Sequence, residues 1–224
     1  MKRGLALEAR HDYARAIIEF RNAGQARPSD AEPEYQLGMA YLTSGHFGEA
    51  IEALRRAVEL NPKHARAQIK LADLMLNSHD RDLIQQAAGQ LQTLLDSDPD
   101  NAAAAGRLAV VEWSLGKLKD AENRLQQALE KFPADLTSAV TLARFKLDRD
   151  DARGALEVLQ RATRNSPRSV PAAIALAQVY VMNGRTAEAE AELRRALELD
   201  PHSGIALLSL ASIQIAGHRP DEAE

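Results

Sequence analysis

The chain of 224 residues contains no cysteine. This absence excludes disulfide bonds and metal sites built on thiolates, and the redox compartment of the protein stays open. Aromatic residues make up only 4% of the sequence, although hydrophobic residues make up 45%. Alanine and leucine must therefore provide most of the buried surface, which favours closely packed helices over a thick aromatic core.

The sequence also lacks a long apolar run and a strong excess of one charge. No stretch approaches the ~20 apolar residues that a membrane-spanning helix needs, and the N-terminus does not resemble a signal peptide. The net charge is −4, whereas proteins that bind nucleic acid usually present a strongly basic surface. We therefore expect no direct membrane insertion and no nucleic-acid partner.

A pattern of about 34 residues recurs along the chain. Each full unit has leucine at its seventh position and a small residue at its eighth, and it ends in a closing proline. Between them lies Ala-x3-Leu-x2-Ala, except that Leu94 replaces the last alanine in one unit. Two helices can approach to about 8–10 Å only where facing residues are small, so the pattern predicts pairs of packed helices. The closing prolines are Pro28, Pro62, Pro99, Pro133, Pro167 and Pro201, with successive spacings of 34, 37, 34, 34 and 34 residues.

This spacing resembles that of the tetratricopeptide repeat (TPR) family, whose degenerate pattern is W-L-G-Y-A-F-A-P. Leu37, Gly38, Tyr41, Ala50 and Pro62 carry the resemblance in the most complete unit. It implies an all-α fold, a right-handed superhelix of antiparallel helix pairs, with a helix A and a helix B in each repeat. The prediction is one solenoid over residues 1–224, made of a partial repeat 1–30, full repeats 31–64, 65–101, 102–135, 136–169 and 170–203, and a partial repeat 204–224. We expect it to be a segment of a longer array.

The turns between helices A and B carry two further expectations. Repeat 65–101 has three extra residues, which we place in a lengthened turn, Asn77–Gln86, since loop lengthening costs little free energy. Glycine is common where a helix ends in a left-handed conformation. We expect that conformation at Gly45, Gly116 and Gly184, at Asp150, and at His218 beside Gly217.

No arrangement of residues in the sequence indicates catalysis or metal binding. The six histidines are scattered over turns of different repeats without H-x3-H or HExxH spacing, so we expect them to be exposed. The sequence contains neither a glycine-rich phosphate loop nor a G-x-S-x-G motif. Carboxylate clusters such as Glu188, Glu190 and Glu192 are expected on exposed helix faces. The prediction is a protein without enzymatic activity, metal or cofactor.

The resemblance to TPR proteins implies a binding groove lined by helices A, through positions 2, 5, 6, 9, 12 and 13 of each repeat. Arg66, Lys70, Arg107 and Arg144 would form a row of cations across three repeats. Trp113 would either pack between repeats or anchor a ligand. Ile69 and Leu147 are expected to be partly core. The predicted groove residues are Tyr35, Met39, Leu42, Arg66, Ile69, Lys70, Asp73, Arg107, Val110, Trp113, Arg144, Leu147, Gln178 and Met182.

One known TPR activity, the dicarboxylate clamp that binds chaperone C-termini, can be tested residue by residue. Arg66 and Lys70 match its last two positions. Met1, Leu5 and Gln36 stand where the clamp requires lysine and asparagine. We therefore do not expect this type of binding.

The predicted function is a scaffold that binds a protein or peptide ligand in its groove. The resemblance extends to bacterial TPR arrays, including those of exopolysaccharide export and cell-surface assembly systems. Two alternatives stay open. The chain could self-associate through uncapped solenoid ends, or it could be the recruiting or regulatory arm of a larger protein, including an enzyme or an export system.

Overall fold

A computed structural model describes residues 1–217 of the chain. Over that range it contains thirteen α-helices and no β-strand, which confirms the predicted all-α fold. The helices are α1 (Lys2–Glu8), α2 (Tyr13–Ala26), α3 (Ala31–Thr43), α4 (Phe47–Leu60), α5 (Ala65–Asn77), α6 (Arg81–Ser97), α7 (Ala102–Ser114), α8 (Leu118–Lys131), α9 (Leu136–Leu147), α10 (Ala152–Asn165), α11 (Val170–Met182), α12 (Thr186–Leu199) and α13 (Gly204–Ala216).

The chain divides into two compact units, Met1–Ala121 and Glu122–Glu224. In the first unit each helix packs against the next from α1 to α7, and α5 also packs against α7. In the second unit the helices from α9 to α13 pack in the same sequential way. Connections of three or four residues join the two helices of each full repeat, as in antiparallel helical hairpins. That both units form one solenoid stays a prediction.

The repeated leucines and small residues form the core of these helix pairs. Leu71, Leu108 and Leu142, each at the seventh position of its repeat, are almost completely buried. At the eighth position, Gly38 lies directly against helix α4. A methyl group added to Gly38 would stand 2.7 Å from Cγ of Leu54, well inside van der Waals contact. The small residue therefore sets how closely helix A approaches helix B.

Short polar side chains begin many of the helices. Asp30 accepts a hydrogen bond from the Glu32 amide at 3.0 Å, and Asn101 accepts one from the Ala104 amide at 3.0 Å. These bonds satisfy amide groups of the first helical turn that have no partner within the helix. The residue before the closing proline leaves the helical conformation at Asn61, with φ of −141° and ψ of 94°, and at Asp98, with φ of −142° and ψ of 77°. This confirms that the prolines end helix B, since proline disfavours a helical conformation in the preceding residue.

The predicted left-handed turn residues are confirmed wherever the structure describes them. Gly45 and Gly116 both have φ of 80°, Gly184 has 69°, and Asp150 has 60°. His218 lies outside the described residues, and Gly217 beside it has φ of −81°. His11 and His79 occupy the same position in their repeats and also have positive φ, 60° and 59°. The sequence analysis missed these two, although each lies 34 residues from Gly45 and so marks the same position of its repeat.

The placement of the three extra residues in a turn was wrong. The connection between α5 and α6 is only residues 78–80, as short as the other connections, and α6 has 17 residues where α4, α8, α10 and α12 each have 14. The Asp80 side chain caps the lengthened helix by accepting hydrogen bonds from the amides of Asp82 and Leu83. Ile84, one turn into the helix, joins the hydrophobic core. The insertion is therefore helical because it is capped and adds buried apolar surface.

Proline substitution distinguishes a helical insertion from a flexible turn. Gln85 is exposed in the first turns of α6, and proline there would clash with the Arg81 carbonyl and remove a helical hydrogen bond. We expect Gln85→Pro to lower the free energy of unfolding by about 3 kcal/mol, measured by urea denaturation. Arg81→Pro is the control, because proline suits the first helical position and Asp80 is already extended. Equal tolerance of both substitutions would contradict a helical insertion.

Two glycines of contrasting surroundings test the close packing of helix A on helix B. Gly38→Leu forces a side chain into the space held by Leu54, and we expect a loss of about 1–3 kcal/mol or more in the free energy of unfolding. Gly89 lies within α6 with no atom within 4 Å of an added Cβ. Gly89→Leu should be neutral or stabilising by up to about 1 kcal/mol, because glycine is a poor helix former. Thermal denaturation of the two variants measures the difference.

Candidate functional site

In the first unit, predicted groove residues of α3 and α5 form one cluster. The Tyr35 ring is 9% exposed and lies between the His64 ring, at 5.0 Å between centroids, and the Arg66 guanidinium, at 4.8 Å from the ring centroid. Arg66 also donates from Nη2 to both carboxylate oxygens of Glu32, at 2.9 and 3.1 Å. Tyr35 is therefore part of the packing between two helices A, and Arg66 covers it.

His64 is an exception to the expectation of exposed turn histidines, which was wrong at this residue. Its side chain is only 10% exposed. Nδ1 accepts a hydrogen bond from the Ala67 amide at 3.2 Å, so the ring proton is on Nε2, which donates to Glu32 at 3.1 Å. Partial burial opposes ionisation of Glu32, but hydrogen bonds from Gln36 and His64 and the charge of Arg66 together hold its pKa below the usual value.

A second cluster joins α5 to α7. Asp73 lies between two cations, with 3.4 Å from Oδ2 to Nζ of Lys70 and 2.7 Å from Oδ1 to Nε of Arg107. Three members of the predicted row of cations, Arg66, Lys70 and Arg107, thus face carboxylates of the same surface. This surface of the first unit is a set of paired charges, and it is not a bare positive strip.

The predicted apolar groove residues of the first unit are half-buried. Met39, Leu42 and Ile69 pack against the hydrophobic core of this unit. Val110 and Trp113 on α7 are also half-buried. These side chains divide their surface between the core and solvent, and their place in a binding groove stays a prediction.

In the second unit, Arg144 and Leu147 of α9 differ in exposure. Arg144 is exposed, and its guanidinium lies 5.6 Å from the centroid of the Phe145 ring. Leu147 is half-buried, as expected for a partly core residue. Gln178 and Met182 of α11 are both exposed, and Met182 exposes 69% of its surface.

Gln178 and Met182 line a cavity of about 650 Å³ between α11, α12 and α13. None of the described residues that line it is charged. The sequence prediction stopped at the last full repeat and therefore missed the contribution of α13. Carrying positions 6, 9 and 13 into the partial repeat would have found Ser209, Ser212 and Ala216. The lining residues are Ala177, Gln178, Val181, Met182, Thr186, Leu193, Ser209, Ser212, Ile213, Ala216 and Gly217.

The described part of the chain offers little for catalysis. Within residues 1–217 no group of histidine and carboxylate side chains could hold a metal ion. Glu190 was expected on an exposed helix face, and this expectation was wrong. Its carboxylate is buried and pairs with Arg194 at 2.8 Å.

Among the helices described, none is long and apolar enough to cross a membrane.

Comparison with known protein families agrees with the repeat pattern. A family model described as the cytochrome c-type biogenesis protein H TPR domain matches residues 9–139, more than half of the chain. A tetratricopeptide repeat model matches residues 146–197 and 181–224. Proteins of this kind mediate protein–protein interactions and are generally non-catalytic scaffolds.

The curated relatives are much longer proteins. Cellulose synthase operon protein C of Pseudomonas fluorescens is 32% identical over 121 residues, which cover 54% of this chain and 9% of that protein. The peroxisomal targeting signal receptor of Saccharomyces cerevisiae is 32% identical over 92 residues, which cover 41% of this chain and 14% of the receptor. The chain thus spans only a small part of these relatives.

Solved structures share the fold at low sequence identity. A thermophilic TPR protein of Thermus thermophilus, TTC0263, has a TM-score of 0.63 and 22% identity, covering 83% of this chain and 99% of its own. A tetratricopeptide repeat protein of Parabacteroides merdae has a TM-score of 0.70 and 17% identity, covering 99% and 87%. With the repeat spacing, the helix pairs and the matching family models, these findings show that the chain belongs to the tetratricopeptide repeat family.

Proposed function

We propose that this chain is a non-catalytic scaffold that binds a peptide or a segment of a partner protein on the surface formed by its helices A. The observation that carries the proposal is the cavity between α11 and α13. Gln178, Val181 and Met182 line it from three predicted groove positions of one repeat. The exposed Met182 at its edge is a flexible side chain that can adapt to different apolar ligands.

The chemistry of the cavity favours an apolar anchor. Its volume of about 650 Å³ is within the range of about 300–1,000 Å³ that is typical of ligand pockets. Val181 and Ile213 provide apolar contacts, and the side chains of Gln178, Ser209 and Ser212 can hydrogen-bond to a peptide backbone. Because the lining residues within 1–217 are uncharged, we infer a ligand that inserts one or two apolar side chains from a helix or an extended segment.

The paired charges of the first unit support a role in selecting a partner, in contrast to the apolar cavity, which would hold its side chains. Arg66 with Glu32, and Arg107 with Asp73, present both signs of charge on adjacent helices A. A ligand that approaches this surface exchanges existing ion pairs, so little net free energy is gained by each contact. We infer that these charges select and orient a partner, and that they add less to its affinity.

A charged substitution at the edge of the cavity tests the proposal. Peptides selected from a random phage-displayed library against the chain should bind Met182→Lys at least about tenfold more weakly than the unmodified protein, because an ammonium group would have to be desolvated. Isothermal titration calorimetry with a synthetic selected peptide measures the change. Lysine at the end of α11 also suits the helix dipole, so the fold should persist.

Ala191→Lys is the matched control, since Ala191 is exposed on α12 and does not line the cavity. It should leave peptide affinity unchanged. Equal affinity of the Met182→Lys variant and the unmodified chain would contradict the assignment of the cavity. Failure to select any peptide above background would contradict peptide binding itself.

Self-association is a second candidate function, and α13 favours it. This helix has no charged residue, and Ile205, Leu208 and Ile215 are exposed on it. Leu208 exposes 72% of its surface, whereas Ile174, at the same position of the preceding repeat, is buried. A helix that is apolar all round is normally covered by other helices. We infer that a second copy of the chain can cover this one.

Light scattering over a range of protein concentrations tests this second candidate. If copies associate through α13, the mass should rise with concentration, and Leu208→Lys should return the protein to a monomer. The variant loses the burial of Leu208 in the contact, which contributes about 1.5–3 kcal/mol to the free energy of association. Ala191→Lys again serves as control. A monomer at every concentration, or an oligomer unaffected by Leu208→Lys, would rule out association through this helix.

A further inference from the structure

A second cavity, of about 800 Å³, lies on a different set of helices from the proposed peptide site. Helices B of two successive repeats, α8 and α10, form its walls, and α9 forms its floor. It shares no lining residue with the cavity between α11 and α13. We call it the α8–α10 groove.

The α8–α10 groove combines an apolar floor with a charged rim. The apolar lining consists of Leu142 on the floor and Leu129 and Val158 low on the walls. The rim carries four cations and three carboxylates. These charged residues are Lys146, Arg153, Arg161 and Arg164, with Glu130, Asp151 and Glu157.

Two of the cations are neutralised within the rim. Lys146 lies 3.1 Å from Asp151, and Arg153 lies 3.0 Å from Glu157. Arg161 and Arg164 are exposed on α10, and neither has an ion pair within residues 1–217. The groove therefore keeps two exposed arginines without a carboxylate partner.

The equivalent repeat of the first unit shows why Arg161 is unpaired. There Arg56 holds the position of Arg161, and it pairs with Glu59 at 3.2 Å. In α10 the position of Glu59 is occupied by Arg164. The change from glutamate to arginine at this position thus leaves Arg161 without a carboxylate partner and places a second cation, Arg164, beside it.

The corresponding groove of the first unit has the opposite charge. Its cavity of about 570 Å³ is lined by Glu34, Glu49 and Glu52. At the equivalent positions the α8–α10 groove has Ala139, Gly154 and Glu157, and it adds Arg153 where the first unit has Gly48. The positive rim is therefore not a general feature of these repeats.

We propose that the α8–α10 groove is a second docking surface, which binds an acidic segment of a partner protein. Arginine binds carboxylates through two parallel hydrogen bonds, and Arg161 and Arg164 are available for this. The apolar floor accepts aliphatic side chains that alternate with the acidic ones. The partner is thus an acidic, partly apolar peptide segment.

The same groove is poorly suited to nucleic acid. Glu130, Asp151 and Glu157 interrupt its positive rim. A nucleic acid has a phosphate at every nucleotide and cannot avoid these carboxylates, whereas a partly apolar segment can place apolar residues opposite them. No aromatic side chain lines it, whereas binding of single strands depends on stacking of bases on aromatic rings. The observations therefore favour a protein segment over an oligonucleotide.

The test uses a fluorescein-labelled 15-residue peptide of repeated Glu-Glu-Leu, with fluorescence anisotropy as the measurement. We expect the whole chain to bind it and the Arg161→Glu/Arg164→Glu variant to bind at least about tenfold more weakly. Arg161→Gln/Arg164→Gln removes the charges without reversing them, and it should also weaken binding. Circular dichroism verifies that each variant stays helical.

Arg55→Glu/Arg56→Glu is the matched control, because it makes the same change in net charge on α4 of the first unit. It should reduce affinity far less than substitution of Arg161 and Arg164. Met182→Lys should leave binding of the acidic peptide unchanged, which separates this surface from the cavity proposed above.

Three results would overturn the proposal. One is the absence of binding by the unmodified chain at low ionic strength. Another is equal weakening in the Arg55/Arg56 and Arg161/Arg164 variants, which would indicate only general attraction of charge. The third is tighter binding of a labelled oligo-uridine that competes with the peptide, which would identify a nucleic-acid surface.

Discussion

The close approach of helix A to helix B is the contact on which the rest of the structure depends. Gly38 lies so near Leu54 that even a methyl group would stand 2.7 Å from its Cγ. Because the same pairing of small residue and leucine recurs in each repeat, every helix pair is specified by local contacts, as in other repeat proteins. The residues that make these contacts are buried, so binding depends on the positions that the repeat pattern leaves free.

Those free positions produce surfaces of different chemistry on one scaffold. The helix A surface of the first unit has charges that pair with each other, such as Asp73 with Arg107. Among residues 1–217, those that line the cavity between α11 and α13 are uncharged, whereas the α8–α10 groove has two arginines without an ion pair. Surfaces that differ in this way suit ligands of different chemistry.

Stacking of successive repeats decides which polar groups remain available to a partner. Glu32 and Arg66 are 34 residues apart in sequence, yet they form an ion pair that also covers Tyr35. His64 caps α5 and hydrogen-bonds to the same carboxylate. Some side chains that the sequence placed in an open groove are thus engaged in contacts between successive repeats.

The sequence by itself determined the helix pairs, their order and their turns, because these depend on contacts within one repeat. Gly45 in its left-handed turn and the extended Asn61 before Pro62 follow from local backbone preferences. The sequence alone misplaced the insertion of repeat 65–101, since the cap at Asp80 and burial of Ile84 made it helical. Only the tertiary structure decided which charges are paired and where cavities lie, because both depend on side chains brought together from different repeats.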